Sequence, residues 1–262
     1  MSNQSIYVYG LIRAEDHQPL AVRAVGDSEQ PVNIIGSGNV AALVSTIDLP
    51  EIMPTRRHML AHTKVLEAAM ANGPVLPMRF GIIVPNPATL LRVIGFRHHE
   101  LRARLDEIDG RVEVALKASW DEQFMWRQLA SEHPHLAVSG RTMMSRGEQQ
   151  TYYDRIELGR AIGAALEERR TAARLQLLQT VTPFAVQVKE LTPVDDAMFA
   201  HLALLVEKGS EPSLYQTVEA LERSNDSGLK FRYVAPIPPY NFVAVTLDWE
   251  QHEQAPSSVV GR

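Results

Sequence analysis

The sequence predicts an α+β protein of two domains, each a mostly antiparallel sheet with helices on one side. Three observations carry this. The chain has 262 residues, enough for two domains of ordinary size. It is 45% hydrophobic and 22% charged, the profile of a chain that buries a core. Residues 1–120 read β-β-β-α-β-α-β, and the second half reads α-β-β-α-β.

Each element has a local reason. Residues 6–12 are β-branched and aromatic and predict a strand. Residues 32–35 and 40–47 predict two more, with Gly36-Ser37-Gly38-Asn39 between them. Thr55 is placed to cap a helix in which Met59, Leu66 and Met70 recur at helical spacing. Asn72-Gly73-Pro74 ends it. Residues 75–81 are a short apolar run between turn residues. Asn86-Pro87 is a helix start with proline at the first helical position. Leu91, Ile94, His98, Leu101, Leu105 and Ile108 then share a face. After Asp109-Gly110, residues 111–117 alternate polar and apolar, as a strand with one buried face does.

Ser119-Trp120-Asp121-Glu122 has the capping-box pattern and predicts a short helix carrying Phe124 and Leu129 inward. Residues 133–148 contain Pro134, Gly140 and Gly147 and read as a connector. Residues 149–179 predict the longest helix, with Tyr152, Ile156, Gly159, Gly163, Leu166, Ala173 and Leu177 on one face. Gly159 and Gly163 would let another element approach its backbone closely. Residues 184–191 and 198–207 are strand-like, 212–223 helical, and 229–234 a strand. The expected division is 1–120, a helix and connector at 121–148, a second domain at 149–247, and a flexible tail at 248–262.

Composition excludes several classes. The net charge is −5, and the two parts, 1–120 and 121–262, carry 12 and 14 basic against 12 and 19 acidic side chains, so no basic footprint for nucleic acid is expected. There is no cysteine, hence no disulfide scaffold, thiolate nucleophile or cysteine-held zinc, and this fits a reducing cytosol. No apolar run reaches the length of a membrane span. Met1-Ser2-Asn3-Gln4-Ser5 lacks a basic, apolar leader, as in a cytosolic start.

The chemical motifs were weighed one by one. Residues 32–41 spell a strand followed by G-x-G-x-x-A, the letters of a dinucleotide loop. Val40, Val44, Thr46 and Ile47 favour a strand after the glycines, so a hairpin turn is expected at 36–39. His58 and His62 are four apart on a helix, but the zincin glutamate is absent and no third ligand is near, so both are expected to be solvated or to face a partner. His98-His99 and His133-Pro134-His135 carry no metal reading either. Nucleophile elbow and phosphate loop are missing. No catalytic, cofactor or metal residue is therefore assigned. Arg79 stands in an otherwise apolar run, and its guanidinium is expected to be mostly buried and paired, with Glu113 on a neighbouring strand as one partner, or else to line a site for a partner's carboxylate. Pro236-Ile237-Pro238-Pro239-Tyr240-Asn241-Phe242-Val243 is a proline-fixed corner, read either as a rigid turn over a sheet edge or as a stiff apolar binding surface.

Five segments together resemble one family. Tyr7-Val8-Tyr9-Gly10, Ala42-Leu43-Val44-Ser45, Gly73-Pro74-Val75-Leu76-Pro77-Met78-Arg79-Phe80-Gly81, Val112-Glu113 and Pro238-Pro239-Tyr240-Asn241-Phe242-Val243 are similar in order and spacing to the gas-vesicle accessory proteins of the F/L type, over about residues 6–247. The chain departs at Ala235-Pro236-Ile237, where the family shows Gly-Pro-Trp, and at His62-Thr63, where it often shows His-Glu. The resemblance implies two α+β domains, the second ferredoxin-like, and no enzymatic activity. It implies a minor gas vesicle component in the cytoplasm that binds the small hydrophobic main shell protein, alongside other accessory proteins, and limits its aggregation during nucleation. It also makes Tyr9, Pro77, Arg79, Phe80, Glu113, Pro238, Pro239, Tyr240 and Phe242 the structural or partner-contact candidates. Two alternatives stay open: a nucleotide-using enzyme on a ferredoxin-like scaffold, working through Gly36-Ser37-Gly38, and a general interaction scaffold.

Overall fold

The computed structural model describes residues 5–16, 18–26, 31–48, 51–136, 138–139, 152–224, 228–243 and 245. Two compact units account for them. One gathers Met1–Glu113 and Pro236–Arg262, the other Val114–Ala235. The chain therefore passes from the first unit to the second after Glu113, not at residue 120, and returns at Pro236. Most of the expected connector and the whole expected tail lie outside the described residues.

The first unit is built on β1 (Ser5–Arg13), whose residues 6–12 are all buried. It pairs antiparallel with β3 (Val40–Ile47) on one side and with β4 (Val75–Pro77) and β5 (Ile83–Val84) on the other, and β2 (Asn33–Ser37) adds to β3. Ser37 pairs with Val40 across a two-residue turn, Gly38-Asn39, with Gly38 at φ +67°. Positive φ at the first turn position is what glycine supplies without a Cβ clash, and the turn matches the twist of the strands. The expected hairpin is present. No helix starts after Gly38, so the dinucleotide arrangement is absent.

A strand buried on both faces needs cover on both. Helix α1 (Arg56–Met70) is capped by Thr55, which accepts from the His58 N–H at 3.2 Å. It buries His62, Val65, Leu66, Ala69 and Met70, while Met59, in the turn before this run, is exposed. Helix α2 (Pro87–Glu107) is capped by Asn86 and packs Leu90, Val93, Ile94, Leu101 and Leu105 with Ile6, Val8, Leu11, Val40 and Val44. Its face starts at Leu90, and Leu91 is only half-buried. Tyr7 and Gly10 point the other way, toward His62 and Leu66 of α1. The α+β class and antiparallel pairing hold, but this sheet carries a helix on each side rather than both on one.

The second unit orders its strands β7-β8-β6-β9, with β6 (Arg111–Trp120), β7 (Ala185–Glu190), β8 (Met198–Glu207) and β9 (Leu229–Ile237). Helices α3 (Glu122–Glu132) and α4 (Tyr152–Val181) lie in the chain between β6 and β7, and α5 (Glu211–Arg223) between β8 and β9. This chain order with this strand order is the ferredoxin-like βαββαβ arrangement. The first sheet repeats the order, second-third-first-fourth, but joins its first two strands without an α-helix among the described residues.

Three local expectations are corrected here. β6 was assigned to the first sheet but pairs in the second. Ser119 belongs to β6, so the α3 cap is Asp121, which accepts from Phe124 N–H at 3.1 Å, and Met125 rather than Phe124 is buried with Leu129. In α4 only Leu177 and Val181 are buried, and nothing described approaches Gly159 or Gly163 within 4 Å.

Candidate functional site

The family-like segments converge at one corner of the first unit, and the sequence explains how. In β1, Val8 pairs with Val44 and Gly10 with Leu43, so Tyr9 is an extra residue in a β-bulge. The bulge leaves Tyr7 and Tyr9 packed together, with ring centroids 4.8 Å apart. His62 reaches down from α1 to both, at 5.7 and 5.6 Å, and Phe80 closes the group at 5.9 Å from Tyr7. Gly10 is small because it must be: a Cβ there would lie 2.8 Å from the Leu76 carbonyl oxygen and from Leu66.

The polar atoms of this cluster satisfy one another. His62 Nε2 lies 3.1 Å from the Met78 carbonyl, which can only accept, so Nε2 carries the proton and Nδ1 accepts from the Tyr7 hydroxyl at 2.9 Å. The same hydroxyl accepts from Gly81 N–H at 3.2 Å. Tyr9 shares a hydrogen bond with Ser45 at 2.9 Å and accepts from Val25 N–H at 2.7 Å. Burial drives the His62 pKa down to about 4, so the imidazole is neutral at pH 7. Burial raises both tyrosines as well. A neutral histidine, two protonated phenols and a serine locked to one of them make a brace for the backbone at 78–81.

The second brace comes from the end of the described chain. Glu113 is fully buried, and its two carboxylate oxygens accept from the Asn241 backbone N–H at 2.9 Å and side-chain amide at 2.6 Å. Pro238 and Pro239 are buried, and the Pro239 carbonyl accepts from the Phe242 and Val243 N–H groups, so the proline corner is a closed turn. Val243 joins the α2 core. Tyr240 stays 39% exposed, its hydroxyl pushed up to about 12 by burial, then by Glu113 and Glu67.

The candidates thus separate. Tyr9, Pro77, Glu113, Pro238 and Pro239 are buried, Phe80 and Phe242 are half-buried, and Arg79 and Tyr240 reach the surface. Arg79 is the clearest correction. The expectation placed it inside a strand and paired with Glu113, whereas β4 ends at Pro77 and the chain turns at Gly81, φ +93°. That puts Arg79 on the turn, exposed. His62 is corrected too: it is buried, not solvated, and its ring nitrogens are both engaged away from His58, whose Nδ1 bonds the Met53 carbonyl at 2.9 Å. Among the described residues no three His, Asp or Glu side chains stand together as a metal set.

Sequence reasoning missed the apolar surface at the start of α1. Met53, Met59 and Leu60 are 69%, 50% and 51% exposed. Helical spacing had placed Met59 in the core, and nothing local distinguishes the first turn from the rest of the stripe.

This is a two-unit α+β protein, its second unit ferredoxin-like, in which the shared motifs frame a surface. The family model for gas vesicle synthesis protein GvpL/GvpF matches residues 5–244, and the chain belongs to that family. It is 34% identical over 241 residues to gas vesicle protein F of a Streptomyces species, covering 91% of this chain and 99% of that one. It is 27% identical to the gas vesicle protein F of a Nostoc species, covering 93% and 100%. The crystal structure of the gas vesicle protein GvpF from Anabaena sp. PCC7120 superposes with a TM-score of 0.79 at 26% identity, covering 93% of this chain and 99% of that one. The chain is accordingly a gas vesicle accessory protein. Among its described residues no helix is long and apolar enough to cross a membrane.

Proposed function

We propose that this accessory protein acts in the cytoplasm by binding the hydrophobic main shell protein of the vesicle and limiting its aggregation before assembly, without catalytic turnover. The observation that supports it is the exposed cluster Met53, Met59 and Leu60 beside the braced corner. Methionine is flexible and polarizable, so a surface rich in it fits apolar partners without demanding one shape. A shell subunit that builds an apolar wall exposes hydrophobic surface and strand edges until it is placed, and a soluble partner that covers them lowers the free subunit concentration. Arg79, Phe80 and Tyr240 are the partner-contact candidates of the corner; the buried motif residues hold it in shape.

The test is capture of the shell protein by the purified chain at low salt and at about 1 M salt. Screening weakens exposed charge pairs and leaves apolar burial intact, so the complex should persist. Met53→Ser/Met59→Ser should weaken it. Absence of a complex at both salts would remove the assembly role proposed here.

A further inference from the structure

One side of α1 lines a groove of about 1030 Å³ that the braced corner does not use. Its other wall is the connection between β1 and β2. Arg56, Arg57 and Lys64 line it from the helix and Arg23 from the connection, with Leu60 and Ala61 between the helical cations. No acidic side chain is among the described residues that line it. The concentration is out of keeping with a chain of net charge −5.

Three features point to an acidic, partly apolar occupant. Arg56, Leu60 and Lys64 stand at i, i+4 and i+8, a cation-apolar-cation line about 12 Å long. The first turn of α1 has no acidic residue and carries two arginines. Cations there oppose the helix dipole and weaken the helix, so helix stability does not explain them, and they add to the positive potential at that end. The groove is at the upper end of the size range of ligand sites, large enough for a peptide segment.

We propose that this groove receives an acidic amphipathic helix of another protein, its carboxylates on Arg56 and Lys64 and an apolar side chain between them on Leu60. The proposal rests on the reading of the chain as a binding protein and adds a second, charge-led contact to the apolar one. A nucleic acid fits less well, because Leu60, Ala61 and Val22 offer it nothing and the net negative chain repels a polyanion beyond the groove.

The experiment measures fluorescence anisotropy of a labelled 15-residue helical peptide of Glu, Leu and Ala, with Glu-Leu-Glu at i, i+4 and i+8, against the full chain. A peptide with Lys in place of Glu and a 20-nucleotide oligothymidine are run beside it. The acidic peptide should bind. Arg56→Glu/Lys64→Glu and 0.5 M salt should each weaken it at least tenfold, with the variant's circular dichroism and melting unchanged. The Lys peptide should not bind. No binding of the acidic peptide, equal binding by the double variant, or tighter binding of oligothymidine would overturn the proposal. None of these outcomes touches capture of the shell protein by the unaltered chain, so the two readings fail separately.

Discussion

Glu113 and Asn241 stand 128 residues apart in sequence, and two hydrogen bonds, at 2.9 and 2.6 Å, join them. The carboxylate is fully buried, so what it loses on leaving water is offset by such donors. Asn241→Ala removes the shorter bond and leaves a buried oxygen short of a donor. It should cost about 2–3 kcal/mol, and Glu113→Ala should cost at least as much by adding a cavity. Urea denaturation followed by circular dichroism measures both; a loss under 0.5 kcal/mol for each would show that the pair is not a structural brace.

His62 gives the fold a dependence on acidity. Its folded pKa, about 4, lies below the unfolded value of 6.5, so the unfolded chain binds the proton more readily. Stability from this group is complete above pH 6.5 and is lost as pH falls toward 4. Between pH 7 and pH 5 the loss should be about 2 kcal/mol, from 1.36 kcal/mol per unit. His62→Gln keeps a donor and an acceptor but does not titrate, and its stability should change less over that range by about the same amount. Parallel curves for the two proteins at pH 7 and pH 5 would contradict this.

Gly10→Ala tests the close approach under the bulge. The new methyl carbon would meet a backbone carbonyl oxygen and Leu66, both at 2.8 Å, and the carbonyl cannot swing aside without breaking the β1–β4 pairing. The expected destabilisation is about 1–3 kcal/mol, read as a lower thermal midpoint. An unchanged midpoint would mean that the strands shift freely.

Arg79→Ala should fold and melt as the parent does, within about 0.5 kcal/mol, because the side chain is exposed. Any fall in capture of the shell protein would then report contact rather than unfolding. Aggregation of the variant would restore the buried role that the sequence alone suggested.

That reversal shows what a sequence conceals. The run at 75–80 is apolar on both sides of Arg79, and periodicity alone reads it as one strand. Pro77 and the positive φ of Gly81 break it, and only the folded chain shows which residue the turn carries outward. The hairpin at 36–39 was legible because β-branched residues flank a glycine-containing turn, a local signal. β6 was legible as a strand but not as a member of the second sheet, since pairing depends on partners far away in sequence. The family motifs were legible as words; that five of them meet around Tyr7, His62 and Glu113 was not. The groove was half visible in Arg56 and Arg57, and its completion by Arg23 required the fold.

The path of the chain through Glu113 and Pro236 bears on how the protein is made. A ribosome delivers all of Val114–Ala235 before Pro238, Asn241 and Val243 emerge. At 5–20 residues per second, Glu113 exists for on the order of ten seconds before the two bonds from Asn241 can form. During that interval the second unit has its whole sequence and the first does not. The earliest part of the chain is therefore the last to close, and its apolar faces stay open to chaperones for most of translation.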